Sequence, residues 1–478
     1  MLGFFLIAAS PLLAQPLPQS ADVGAPAHKG MSRLEGGVYR ISASGTNMWG
    51  TSDAFHFVHD QFAGDVSIEA KVEWVGEGKN PHRKAGPILR ASLDADAPYA
   101  DFVFHGSGEL ALQYRKVKGG PTAEIQTTIR PPLVARLERH GDVISAEVSR
   151  DGRAWSPVGA LTLAMPERIY GGLAVCSHDD TVSETALFRD VKVEARGVVV
   201  KRVTESTLEV LDIETKQRQI VRRAKEHFEA PNWSRDNELI YNAGGRLYRI
   251  AAGGGPPAAI DTGERIRCNN DHGISPDGKW LAISDGSASR QSQIYILPFG
   301  GGIPRLITPQ FPSYWHGWSP DGKTLAYCAR RNDNFDIYTI PAEGGEEKRL
   351  TTAEGLDDGP DYSPDGKYIY FNSVRSGVMR IWRMLADGTD QRMFIEGSDS
   401  ADWFAHPSPD GKWVVYLSFE KTVEGHPANK DVTLKLVPAD GGRPRVIATL
   451  FGGQGTINVP SWSADSKRIA FVSYRLVP

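Results

Sequence analysis

A short motif, Ser-Pro-Asp-Gly, returns at regular intervals through the second half of the chain and dictates its architecture. Aligned on its serine, the units fall at Ser234, Ser275, Ser319, Ser363, Ser408 and Ser463, separated by 41, 44, 44, 45 and 55 residues. Self-similarity at this period marks stacked or circular units, each contributing one small sheet. Within a unit, β-type runs alternate with turns; from Ser319 to Thr351 the runs are TLAYCA, FDIYTI and EKRLTT. Pro-Asp-Gly suits a tight turn because Pro presets φ, Asp bonds its own backbone and Gly supplies φ > 0, so most of these aspartates are architectural. Six units predict six blades. The last unit holds only two runs, NVPSWS and RIAFVSYR, whereas Thr207 to Val221 (TLEVLDIETKQRQIV) supplies two runs ahead of the first unit. Together they complete one four-stranded blade and close a ring without exposed sheet edges.

The first half obeys a different grammar. From Met31 to Arg196 short runs such as DVSIEAKVEWV, GPILRASL, YADFVFHG, VISAEVSR and GGLAVCSH recur about every ten residues with Gly, Asp and Asn between them, the signature of an antiparallel sandwich. Ahead of it, Met1 to Ala14 (MLGFFLIAASPLLA) reads as a signal peptide without a basic n-region, and Gln15 to Gly30 as a flexible leader. The expected organisation is therefore all-β: signal peptide 1–14, leader 15–30, sandwich 31–197 and six-bladed propeller 198–478. After removal of the signal peptide no membrane span is expected, because no other run approaches the ~18 apolar residues one requires. No Cys follows the expected cleavage point, so a lipid anchor is not indicated.

Composition narrows the partners. Lys plus Arg number 54 against 58 Asp plus Glu, and a net charge of -4 gives no general attraction to nucleic acid. Cys176, Cys268 and Cys328 are too few and too scattered for a disulfide framework or a CxxC metal pair. The chain contains no GxSxG elbow, no GxxxxGK[ST] and no GxGxxG opening a helix, so neither serine-hydrolase chemistry nor a nucleotide cofactor is expected.

In a propeller the innermost strands line the central channel, so residues just before each Ser-Pro-Asp-Gly turn converge on one funnel. Three places before the serine stand Pro231, His272, His316, Pro360, Ala405 and Pro460. Proline fits an innermost edge strand, whose N–H needs no ladder partner. Blades two and three place imidazoles in the ring, blade four adds Asp357, Asp358 and Asp361, and blade five adds Asp402 and His406, the latter one residue out of register. Asn269, Asn270 and Asp271 precede His272, and Asn458 comes from blade six. Imidazoles and carboxylates in a partly dry funnel suit a divalent metal (Ca, Mn or Zn) or a general acid and base; equally, they suit hydrogen bonds to strand ends and channel water.

Further candidates surround the funnel. Arg331 and Arg375, with Arg330, either tie blades together or clamp an anionic ligand. Trp315 and Trp403 either pack in the core or stack on sugar rings, and Asn270, Asp402 and Asn458 offer polar contacts. The stretch Glu420 to Lys430 (EKTVEGHPANK) is a candidate lid carrying His426. In the sandwich, Trp49, His56, His105 and Tyr114 are either buried or part of a groove.

Two resemblances add expectations. Phe55-His56-Phe57, Gly64-Asp65, Lys84-Ala85-Gly86 with Arg90, Ser149 to Trp155, and Gly172-Leu173-Ala174 with Ser177-His178 make the first half similar to the concanavalin-A-like jelly-roll modules often attached to carbohydrate-active enzymes. The repeat half resembles the TolB-type propeller, which implies a periplasmic or secreted protein with an envelope protein, oligosaccharide or polysaccharide as partner; a closed ring is expected to be monomeric. It departs from TolB in carrying a sandwich where an α/β domain is expected. Oligogalacturonate lyases also resemble this half. That likeness implies a metal-dependent alternative in which His272, His316 and His406 are ligands and Asp271 or Asp358 is the catalytic base or a fourth ligand, although that family has seven blades rather than six.

Overall fold

The computed structural model describes residues 17–199 and 201–477. The expected signal peptide, 1–14, therefore lies outside the described residues. Among them there is no α-helix, only one 3-10 turn at Gln454–Thr456, and no helix long and apolar enough to cross a membrane. The chain divides into two compact units that meet at 201/202.

The first unit is a sandwich of two antiparallel sheets. One runs in the order Gln19–Val23, Ser52–Ala63, Arg168–Cys176, Lys84–Arg90, Tyr99–His105, Leu110–Arg115 and Ala123–Thr127, with the short Asn47–Trp49 also paired to Ser52–Ala63. The other runs Trp155–Thr162, Val143–Ser149, Val134–His140, Asp65–Val75, Glu184–Gly197, Val38–Ala43 and Met31–Glu35. Alternation along each strand sends Ile68, Leu89, Phe102, Leu112, Leu137 and Phe188 into one core shared by both sheets. Tyr99 and Val103 face the other way and join Phe55, Phe57 and Ile88 in a second cluster, so the larger sheet is buried on both faces. Beside that cluster Asp53 accepts from Arg90 and Arg115 at 2.7 Å, and none of the three side chains is exposed.

The expected flexible leader is corrected here. Gln19–Val23 pairs along Phe55 to His59 as the edge strand of the larger sheet, and Asp22 lies 2.7 Å from His56. Five residues flanked by Pro and Gly carry too little periodicity to reveal a partner more than thirty positions away.

The second unit is a six-bladed propeller. Five blades are four-stranded sheets with inner strands Phe228–Trp233, Cys268–Ile274, Ser313–Trp318, Asp357–Tyr362 and Ser400–Pro407. The sixth closes as expected: Val203–Asp212 pairs with Arg468–Val477 on one side and Arg218–Ala224 on the other, while Trp462 bridges to Ile469. The repeated turn also behaves as expected. Ser319 Oγ donates to Asp321 at 2.6 Å and accepts the Thr324 N–H at 2.9 Å, and the same two contacts recur at Ser275, Ser363, Ser408 and Ser463. Gly322 closes the turn at φ 71°, a left-handed conformation that Asn237 and Ser466 adopt in the two copies lacking Gly.

Candidate functional site

Each of the first five blades breaks its innermost ladder just before the turn, and the breaks differ in size. In blade three only His316 lies between the paired residues Trp315 and Gly317. In blades one, four and five the unpaired residues are Ala230 with Pro231, Gly359 with Pro360, and Phe404 with Ala405. Blade two leaves Asn269, Asn270 and Asp271 unpaired between Cys268 and His272. A bulge turns side chains away from the alternation of the strand, and its unpaired residue needs no ladder N–H, so proline sits there without loss. A fixed distance from the serine therefore does not fix the direction of a side chain. His316 is a bulge residue, whereas His272, at the same offset, is paired with Ile283; blade two presents Asp271 instead.

The bulges and two loops enclose a cavity of about 370 Å³. Its polar wall is Asn269, Asp271, His316, Asp358, His426 and Gln454; its apolar wall includes Tyr314, Phe335 and Leu356. His316 Nε2 lies 3.2 Å from Asp358 Oδ1 and 3.9 Å from Asp271 Oδ1. Asp271 is fixed from both sides, since Asn458 and Asn269 each donate an amide N–H to one of its oxygens at 2.6 Å. Asp358 Oδ1 also accepts the Gly359 N–H at 2.8 Å. From the 420–430 loop, His426 Nε2 comes within 3.9 Å of Asp358 Oδ2, and its ring meets Trp403 edge-on at 4.5 Å. Phe404 stacks behind His316 with centroids 6.2 Å apart. It does so from φ 53°, a left-handed conformation unfavourable for an aromatic residue, so the surrounding packing holds strain at the wall of the site.

Burial and charge separate the two carboxylates. Burial pushes Asp271 up to about 6, the His316 charge opposing and the Asp358 charge adding to the rise. Burial would raise Asp358 too, but the charge and hydrogen bond of His316 hold it at about 2. Burial would lower His316, yet Asp358 and Asp271 leave it raised. The two carboxylates thus favour the charged form of His316, while burial leaves the Asp271 carboxyl titrating well above the ordinary carboxylate range.

The other expected residues are distributed elsewhere. His272 is fully buried with Nε2 3.4 Å from the Ile240 carbonyl, and burial lowers it to about 4. His406 has Nδ1 3.0 Å from Asp361 and Nε2 3.2 Å from the Ile457 carbonyl. With His272 and His406 engaged in this way, the three histidines do not form a shared donor set, and among the described residues no group of three or more His, Cys, Asp or Glu is arranged to hold a metal ion. Arg331 is bound to Glu347 at 2.8 Å and Arg375 to Asp357 at 2.7 Å, each within its own blade, so both arginines act as ties. Asp402 accepts from Ser400 and Ser418. Trp315 is buried against Gly273, and Trp403 backs His426. Asn458 and Asn270 meet near Asp271: the Asn458 amide contacts both the Asp271 carboxylate and, at 3.5 Å, the Asn270 carbonyl. In the sandwich, Tyr114 packs against the core, His105 is buried and Lys84 lies over the Trp49 ring at 5.4 Å.

Tyr314, Phe335, Leu356, Phe404 and Gln454 were not among the expected residues. Tyr314 was visible in principle, two positions before His316 on the same strand; Phe335 lies at the start of the strand Asn334–Pro341 of blade three, away from the innermost strand, and the others come from loops and a bulge whose direction no local pattern encodes.

Comparison with known proteins places the second unit. A family model described as the TolB beta propeller domain matches residues 312–426. An uncharacterised protein of Agrobacterium fabrum (strain C58 / ATCC 33970) is 51% identical over 279 residues, spanning 56% of this chain and 92% of its own length. A solved structure from Agrobacterium tumefaciens, provisionally titled TolB, is 50% identical with a TM-score of 0.56, covering 57% of this chain and 99% of that one. The crystal structure of TolB from Acinetobacter baumannii is 16% identical with a TM-score of 0.41, covering 66% and 78%.

Proposed function

Since this chain belongs to the TolB-like β-propeller family, we propose that it is an exported binding protein whose propeller receives part of a carbohydrate or of an envelope protein in the cavity between Asp271 and Tyr314. One observation carries this: a two-walled cavity in which fixed carboxylates and two imidazoles face aromatic and aliphatic side chains. Such a lining fits the usual character of ligand sites, an apolar surface with a few oriented polar groups. The apolar run Met1 to Ala14 supports export to the periplasm or beyond. The N-terminal sandwich, concanavalin-A-like in this proposal, is a second module that presents the propeller or adds a binding surface of its own.

The test is a calorimetric screen of neutral, acidic and basic oligosaccharides and short peptides against the full chain and its Tyr314→Ala and Asp271→Asn variants. A ligand whose affinity falls at least tenfold in both variants supports the proposal; ligands that bind equally well to both variants contradict it.

A catalytic alternative rests on the carboxyl of Asp271, which titrates near neutrality beside His316. Asp271 then acts as general base toward a bound sugar, in a hydrolysis or an elimination. Turnover of an oligosaccharide that rises with pH through about 6 and disappears in Asp271→Asn supports it.

A further inference from the structure

We propose that the cavity selects the cationic side chain of a lysine or arginine presented by a peptide; this rests on the cavity being the binding site. Charge is the first reason. Asp271 and Asp358 face the imidazoles of His316 and His426, and among the described residues no Lys or Arg, the permanently charged cations, lines the cavity. The nearby arginines are held by Glu347 and Asp357. An added cation is attracted by both carboxylates, whereas a uronate or sulfate brings a further negative charge to a site of low dielectric.

The second reason is unused hydrogen-bonding capacity. Asp358 is only 9% exposed; the Gly359 N–H and His316 Nε2 meet its Oδ1, while His426 Nε2 stands 3.9 Å from its Oδ2, and a carboxylate with these contacts keeps capacity for a further donor. Each Asp271 oxygen accepts one amide N–H, and a carboxylate oxygen can accept more than one. These are acceptors waiting for a donor, which ammonium and guanidinium groups supply and carboxylate ligands do not.

The opposite wall gives the third reason and separates an organic cation from a bare ion. Tyr314 and Phe335 form an aromatic pair with centroids 6.4 Å apart, and Leu356 continues the same lining. Aromatic faces attract alkylammonium and guanidinium groups, and aliphatic side chains pack on the methylene stem of Lys or Arg. An amino sugar shares the charge but carries no such stem.

The experiment is titration of the full chain with the peptides Ac-Gly-Arg-Gly-NH2 and Ac-Gly-Lys-Gly-NH2, with the citrulline and glutamate analogues, with a glucosamine trimer and with trigalacturonate. The basic peptides are expected to bind at least tenfold more tightly than citrulline and glutamate peptides and the glucosamine trimer, and to weaken as salt is raised. Asp358→Asn should remove at least tenfold in affinity. Tyr314→Leu, which leaves every charge in place, should remove several-fold and guards against misfolding of the charge variant; melting curves check both. Equal binding of arginine and citrulline peptides overturns the proposal, as does preference for the glucosamine trimer. Binding of trigalacturonate or a neutral sugar that depends on Tyr314, without binding of basic peptides, overturns the proposal while the cavity remains the binding site. If no probe responds to either variant, the cavity itself is the wrong site and both conclusions fall.

Discussion

Asp271, at the centre of the proposed binding site, carries a charge that costs the fold stability. Its carboxyl is raised above the unfolded value of 3.8 to about 6, so the native state holds this proton more tightly than the unfolded chain. That stabilising contribution is complete below the unfolded value, and it is lost as pH rises through about 6. Asp271→Asn should therefore melt about 2–4 °C above the parent at pH 8, the response expected for about 1 kcal/mol in a domain of this size, and show no advantage at pH 4. Scanning calorimetry at the two pH values checks this; a variant that melts lower at pH 8 contradicts it. His316, Asp358, Tyr314 and Cys328 all face this carboxyl, and of these His316 and Asp358 set its charge. The residue types of the site were legible in the sequence, because histidines and aspartates gathered ahead of the turns. Their directions were not. His272 and His316 share an offset from the serine, yet ladder pairing turns one toward the Ile240 carbonyl and leaves the other in the cavity.

Turns and bulges divide the work at the scale of the element. The Ser-Pro-Asp-Gly turn is purely local: its serine, aspartate and backbone satisfy one another within a few residues, which is why it could be read directly. Asp321→Ala removes the bonds from Ser319 and from the Lys323 N–H and should lower stability by about 1 kcal/mol without changing ligand affinity. Hydrogen bonds from the turn serines hold Asp277, Asp321, Asp365 and Asp465 below their usual value, so their contribution is present above about 4 and is lost as pH falls below it. Urea midpoints measured from pH 5 down to pH 2 should decline accordingly. The bulge, in contrast, depends on how many residues the second strand leaves unpaired, a tertiary quantity. Ala230 sits in such a bulge at φ 56°, fully buried. Ala230→Gly should relieve that conformation and gain about 0.5–1 kcal/mol in chemical denaturation, whereas a loss would show that the methyl packing outweighs the backbone strain.

Across the propeller, six small sheets become stable because each is completed and packed in a closed ring, which leaves only short edges. Val203–Asp212 joins the chain's first propeller strands to Arg468–Val477, its last, so blade six depends on both ends of the unit. A chain lacking 203–224 leaves Arg468–Val477 with an unpaired edge and should aggregate or lose its cooperative transition, while the isolated unit 202–478 should keep it. Blade number and closure were legible because the repeat period counts sheets and a half-filled unit at each end implies their union. The edge strand Gln19–Val23 of the sandwich was not, since its identity as a strand comes only from its partner. In the larger picture, a closed ring is a rigid mount on which bulges and loops such as 420–430 place the chemistry. A crystal structure of the full chain grown with a saturating arginine peptide decides whether that mount serves binding. The guanidinium is expected beside Asp358 and Asp271, with its stem against Tyr314 and Phe335; a peptide ordered elsewhere on the protein, leaving those four side chains untouched, would contradict the assignment of the cavity as the binding site.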